Sequence, residues 1–524
     1  MAHLPARRGV VWTAAAASLA LGTAAPAYAH DSGHDSGHDS GHRSSTAYYV
    51  DCSRSHDGNG TAAQPWNSLA DVNKPVFAPG AHILFARGST CVGTLAPQGS
   101  GVAGADIVVD AYGSGALPLP RIDGNGALET VSLHNQQYFE IHHLDVTNAA
   151  DPGTKHRGIH VDAQDVGKLS HIVISGVNVH DILGDDTKDA DGSDGIDVSV
   201  HGTTVPTWFD DVQITGNTLT QVNREGIVTA SSWAQYNGFQ EHPFTHVLIQ
   251  GNDLARTGGD GIVVEQVSGA LVDHNTLAGF NVASQGYNAG IWPWDSDHVT
   301  FQYNDVSGGH GHMDSMAYDI DDFTDTIVYQ YNYSHDNDGG FALICGTADG
   351  YVRNSVIRYN ISQDDSYRGV ENCSGPSGPV QVYNNTIYVK PGAGMQVLRE
   401  NNDSTARDVQ FTNNVVVNAG APSDATFGLS ATTSYQLTDN TFFNTATAPG
   451  TGTLTTNPLL AAGGTATGIG AHANGYRLCA GSPALASGIA VAGNGGRDYF
   501  GNAIRAGAPD RGAYAGAGVH GCGT

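Results

Sequence analysis

Val247-Leu248-Ile249-Gln250-Gly251-Asn252 is a short β-branched run that ends in a polar residue and an asparagine. The pattern is already present at Val212 to Asn217. It recurs at Leu271 to Asn275, Val299 to Asn304, Ile327 to Asn332, Val356 to Asn360, Val380 to Asn385, Val409 to Asn414 and Tyr435 to Asn440. From Asn252 onward the asparagines stand 23, 29, 28, 28, 25, 29 and 26 residues apart, with no helical periodicity between them. A second short strand, opened by a small residue, lies between markers. Examples are Gly158-Ile159-His160-Val161, Gly195-Ile196-Asp197-Val198, Gly261-Ile262-Val263-Val264, Gly290-Ile291-Trp292, Ala317-Tyr318-Asp319-Ile320, Gly340-Phe341-Ala342-Leu343 and Gly369-Val370-Glu371. Two or three short strands per rung of roughly 25 residues, without connecting helices, predict an all-β solenoid of parallel strands. An asparagine at the same turn of each rung can stack its amide on its neighbours and pair groups that the bend would otherwise bury unpaired.

The chain resembles secreted right-handed parallel β-helix carbohydrate-active proteins of the pectate-lyase-like superfamily over about residues 47–515. Beyond the repeat, the resemblance rests on Tyr48-Tyr49-Val50-Asp51, Gly58-Asn59-Gly60-Thr61 and Pro65-Trp66-Asn67-Ser68-Leu69 at one end. At the other end it rests on Gly481-Ser482-Pro483-Ala484, Asp498-Tyr499-Phe500-Gly501 and Asp510-Arg511-Gly512-Ala513-Tyr514. It implies a right-handed parallel β-helix of about 10–12 rungs. The expected order is a signal peptide at 1–29, a His/Asp/Ser/Gly spacer at 30–46, an N-terminal cap segment at 47–105, the β-helix at 106–445 and a C-terminal closing segment at 446–524.

The resemblance also implies that substrate lies along the outer face of the Gly-Ile-x-Val strands. Period-2 alternation turns His160, Asp197, Trp292, Asp319, Ala342 and Glu371 outward, with Asp162, Glu265, Trp294, Asp321, Ile344 and Cys373 two residues on. Side chains two apart on a strand lie about 6.6 Å apart, within the roughly 6.5–9.5 Å that inverting glycosidases place between their carboxylates. The predicted catalytic groups are therefore Asp319, Asp321 and Asp322, flanked by Glu371. Crowding keeps one of them protonated as an acid. Trp292, Trp294, Trp233 and Tyr287 are expected to stack on sugar rings. Asp295, Glu265, His335 and Arg368 complete the substrate contacts, and His160, His310 and His312 are further acid–base candidates.

The chain has 23 Lys+Arg against 51 Asp+Glu, a net charge of −28, and only five lysines. An acidic chain so poor in cations repels phosphate backbones and anionic lipid, which argues against nucleic acid and membrane partners. Arg7 and Arg8, the apolar run Val10 to Leu21 and Ala27-Tyr28-Ala29 read as a secretory signal, giving a secreted, extracellular protein. Asp-Ser-Gly-His recurs three times between Asp31 and His42 as a spacer or a metal-capturing tract. In an oxidising compartment the six cysteines are expected to pair locally, as Cys52–Cys91, Cys345–Cys373 and Cys479–Cys522.

The leading reading is a glycoside hydrolase degrading a neutral or weakly charged polysaccharide, a monomer with no cofactor. The first competitor is a Ca²⁺-dependent lyase or epimerase acting on uronates, with Asp295, Asp319, Asp321 and Asp322 holding the ion and Arg368 as base. The second is a non-catalytic glycan-binding or surface protein.

Overall fold

The computed structural model describes residues 46–522, except 187, 189–191, 239–240, 285, 348–349, 374–376, 402–406, 431–432 and 434. The expected signal and nearly all of the His/Asp spacer lie outside the described residues.

The fold is an all-β, right-handed parallel β-helix whose strands stack into three sheets of 17, 13 and 11 strands among the described residues. Each rung passes through the three sheets in turn, as Thr300–Gln302, Asp305–Gly309 and Met316–Ile320 do, and the paired strands of neighbouring rungs run parallel among the described residues. The ladder already begins at Thr46–Val50, paired with Ala81–Ala86 inside the segment expected as a cap, and it continues to Thr441–Phe443.

The asparagines form the predicted ladder at the corner between the 17- and 13-stranded sheets. From Asn217 through Asn252, Asn275, Asn304, Asn332, Asn360, Asn385 and Asn414 to Asn440, each carboxamide donates to the next asparagine's Oδ1 at 2.9–3.2 Å. The glycine at the start of five strands of the 11-stranded sheet has a packing reason. A Cβ at Gly158, Gly195, Gly226, Gly261 or Gly290 would meet the carbonyl oxygen of the next rung at 2.5–2.6 Å.

All three cysteine pairs form as expected: Cys52–Cys91, Cys345–Cys373 and Cys479–Cys522. One phase expectation fails. Gly340 pairs with Met316 rather than with Ala317, which aligns Ala342 with the core residue Tyr318. Ala342 and Ile344 therefore point inward, while Leu343 and Cys345 take the outer face against Met316 and Cys373.

Candidate active site

The 11-stranded sheet, from Glu129–His134 to Ala425–Gly428, carries the outward residues predicted from alternation. Its register stacks His160, Asp197, Val228, Val263 and Trp292 in one column. Beyond a break in pairing, Asp319, Leu343, Glu371 and Arg399 continue the column. The break lies beside Pro293, which has no N–H to give the ladder. Only Ile291 and Tyr318 pair between these two strands. The Tyr329 hydroxyl lies 2.6 Å from Asp319 O and 3.0 Å from Ile291 O, bringing a donor from the core to the parted strands.

Three carboxyl groups gather below this opening. Asp319 is 3 % exposed, and its Oδ1 has no hydrogen-bond partner among the described residues. Burial first, then the nearby Asp321 and Asp314, push its carboxyl well above the usual carboxylate range. Asp321 and Asp314 are partly exposed. Burial pushes Asp321 up to about 7, with Asp322 and Asp314 adding to the effect and the Asp322 N–H opposing it. Burial pushes Asp314 up to about 6 against the pull of Arg368 and Lys188. Two partly accessible carboxyls thus stand near a buried one whose proton affinity is raised.

The surrounding groups hold this arrangement. Lys188 Nζ lies 3.3 Å from Asp260 Oδ2 and 5.2 Å from the centre of the Trp292 ring, and it bonds the Tyr287 carbonyl. Asp260 Oδ1 accepts the Ala289 N–H at 2.7 Å and the Trp292 Nε1–H at 2.8 Å, which fixes the indole. Arg368 donates to Glu371 at 2.7 Å, to Gly339 O at 2.9 Å and to Asp314 O, so its guanidinium braces the turn that bears Asp314. Glu371 also lies 3.7 Å from Arg399. It sits two rungs from Asp319, as expected, but as a carboxylate between two guanidinium groups.

The structure brings Asp319, Asp321, Trp292, Trp294, Glu265, Arg368 and Glu371 onto one face and redirects the other predicted residues. Asp322 turns away to accept the Thr347 N–H at 2.6 Å. Asp295 accepts the Gln235 N–H at 2.8 Å, and burial raises it to about 6. Asp295, Asp319, Asp321 and Asp322 therefore do not converge as a calcium ligand set. Trp292 is 7 % exposed beneath Lys188, and Trp294 stacks at 4.4 Å against Tyr236. The Tyr236 hydroxyl also donates to Glu265 at 2.7 Å, a carboxyl that burial pushes up to about 8. Both indoles are thus already occupied, which leaves less ring surface for a sugar than alternation alone implied. Trp233 is buried in the core beside His242, whereas Tyr287 is exposed.

His335 lies on the 13-stranded sheet, held by Asp305 at 3.2 Å and Asp336 at 2.9 Å, and is not part of this face. His160 bonds Glu129 and Ser199 toward the N-terminal end. His310 is exposed near Asp338, and His312 packs on Tyr367. Asp314, Lys188 and Tyr236 escaped the sequence reading because each lies outside the small-residue strands. Asp314 sits in a turn at φ +58°, next to Ser315 at the same angle, so strand alternation does not reach it.

The family model described as a right handed beta helix region matches residues 208–377. A lacto-N-biosidase of Bifidobacterium longum subsp. longum is 27% identical over 632 aligned positions, covering 97% of this chain. The chain spans only 39% of that protein's length. The GH136 lacto-N-biosidase from Eubacterium ramulus superposes with a TM-score of 0.61 in its selenomethionine form and 0.59 in its native form. The identities are 23% and 22%, each over 74% of this chain and 68% of the other. These structures share the β-helix fold with the present chain.

Proposed function

We propose that the chain is an extracellular glycoside hydrolase whose carboxyl pair is Asp321 and Asp314, with Asp319 buried between them. The observation that carries this reading is the set of three carboxyls whose proton affinities are raised together at one opening of the outer sheet. A hydrolase needs one carboxyl protonated to release the leaving oxygen and a second ionised to activate water or attack the sugar. Asp321 at about 7 suits the donor, and Asp314 at about 6 suits its ionised partner. The similarity to a lacto-N-biosidase makes lacto-N-biosides the first substrates to try.

The uronate lyase reading is less well served, because Arg368, its proposed base, is already engaged with Glu371 and the backbone of the Asp314 turn. The test is product analysis on lacto-N-biosides, neutral polysaccharides and uronates, with and without chelator, following reducing ends and absorbance near 235 nm. Reducing ends without the unsaturated chromophore support hydrolysis, whereas a chelator-sensitive chromophore overturns it. Asp321→Asn and Asp314→Asn are each expected to lower kcat by about 10²–10⁴-fold. The anomer of the first product tests the pairing. A retained anomer favours a carboxylate that attacks the sugar, and an inverted one a carboxylate that activates water.

A further inference from the structure

The 17-stranded sheet carries a second cluster of chemistry-bearing side chains on its outer face, unrelated to the carboxyl opening. Asp106 immediately precedes the Ile107–Tyr112 strand, Glu140 lies in Phe139–His142 and His171 in Lys168–Ser175, on three successive rungs. One ligand atom from each lies within 4.8 Å of the others. His171 Nε2 is 3.2 Å from Glu140 Oε1 and 3.9 Å from Asp106 Oδ1. Atoms bound at 2.0–2.1 Å to a tetrahedral ion lie about 3.3 Å apart, so the His171–Glu140 edge already has the right length and the His171–Asp106 edge must shorten by about 0.6 Å. The three side chains are 23–24% exposed, so each is partly buried yet reachable from solvent.

Two further features orient the ligands. His171 leaves the strand ladder at φ +61°, and Asp211 does the same on the next rung at φ +65°, so the register passes over both. That double outward step places Asp211 Oδ2 2.7 Å from His171 Nδ1. The pair fixes the tautomer that carries its proton on Nδ1 and turns the Nε2 lone pair toward the two carboxylates, the arrangement that supports a metal-bound imidazole. The other oxygen of Glu140 is held by His142 Nε2 at 2.7 Å, which leaves Oε1 facing the triangle.

We propose that Asp106, Glu140 and His171 form a binding site for a borderline divalent first-row ion such as Zn²⁺, with Asp211 as the positioning residue of His171. One nitrogen and two carboxylate oxygens suit such an ion, with water filling the open side. Binding clamps three rungs together.

The full chain also contains His34, His38 and His42 in its Asp-Ser-Gly-His repeats, a second place for zinc to bind. Zinc binding is therefore measured by competition with a chromophoric chelator on the full chain and on a variant with these three histidines changed to alanine. The tract variant is expected to retain one zinc, whose binding raises the melting midpoint. His171→Ala added to it abolishes that zinc, Glu140→Gln weakens it, and Asp211→Asn weakens it by about 10–100-fold. Far-UV circular dichroism of the zinc-free variants separates loss of a ligand from loss of fold, and the absorption bands of bound Co²⁺ report the ligand geometry. Zinc that disappears with the tract histidines, or that persists unchanged in both His171→Ala and Glu140→Gln, overturns the proposal.

Discussion

Asn332→Ala should destabilise the protein by about 4 kcal/mol, because Asn332 sits in the middle of the ladder. Its Oδ1 accepts the backbone N–H of Asn304 at 2.9 Å and the Nδ2–H of the same residue at 3.1 Å. Its Nδ2 donates to Phe301 O at 2.9 Å and to Asn360 Oδ1 at 3.0 Å. Alanine removes these four bonds in a fully buried corner, at a net cost of about 1 kcal/mol each. The backbone of residue 332 keeps its partners, its N–H on Asn360 Oδ1 and its carbonyl on the Ile361 N–H. Unfolding entropy of about 2.1 cal/mol/K per residue over this chain amounts to about 1 kcal/mol/K, so the melting midpoint should fall by about 4 °C. The assay is thermal unfolding followed by near-UV circular dichroism. Asn440→Ala serves as an internal comparison: at the end of the ladder Asn440 makes three such side-chain bonds, to Asn414 N, Asn414 Nδ2 and Phe411 O, and should lose less. A midpoint within about 1 °C of the parent for Asn332→Ala would refute the idea that the stacked amides hold the corner.

The pH profile of kcat/KM should be bell-shaped, with limbs near 6 and 7. Activity falls below the lower limb as Asp314 is protonated and above the upper one as Asp321 loses its proton, as initial rates across pH would report. Stability follows the sign of the same shifts. Between the ordinary carboxylate range and about 7 the folded state holds protons that the unfolded chain has released, so the melting midpoint should decline as pH rises from 4 toward 7. Lys188→Met removes a cation that lowers the proton affinities of Asp314, Asp319 and Asp321, so it should move both limbs to higher pH; an unmoved profile would remove Lys188 from the site's electrostatics. Changing Cys345 and Cys373 together to serine opens a loop of 28 residues between adjacent rungs beside the site. Loop-closure entropy puts the cost at about 3–4 kcal/mol, measurable as a lower denaturant midpoint.

Much of this architecture is legible without coordinates because a β-helix repeats one local solution. The asparagine spacing, the small residue before each inward isoleucine or valine and the alternation that follows are all local in sequence, and each rung imposes them again on the next. For the same reason Asp319, Asp321, Trp292, Trp294 and Glu265 could be assigned to one face from residue parity alone. Parity failed at Gly340, where pairing with Met316 moved the phase by one residue, and pairing is a relation between rungs that no single strand encodes. It also says nothing of where a turn residue aims. Asp322 and Asp295 sit among the acids yet serve loop N–H groups, while Asp314 arrives from a left-handed turn braced by Arg368. The sequence by itself determined the solenoid and its stacked corner, because these depend on spacing along the chain, and the local disulfide pairing expected among fifteen possible ones is the one the structure forms. Only the tertiary structure decided which carboxyls meet and which of them remain partly exposed, because burial and mutual charge depend on what neighbouring rungs and Lys188 bring near them.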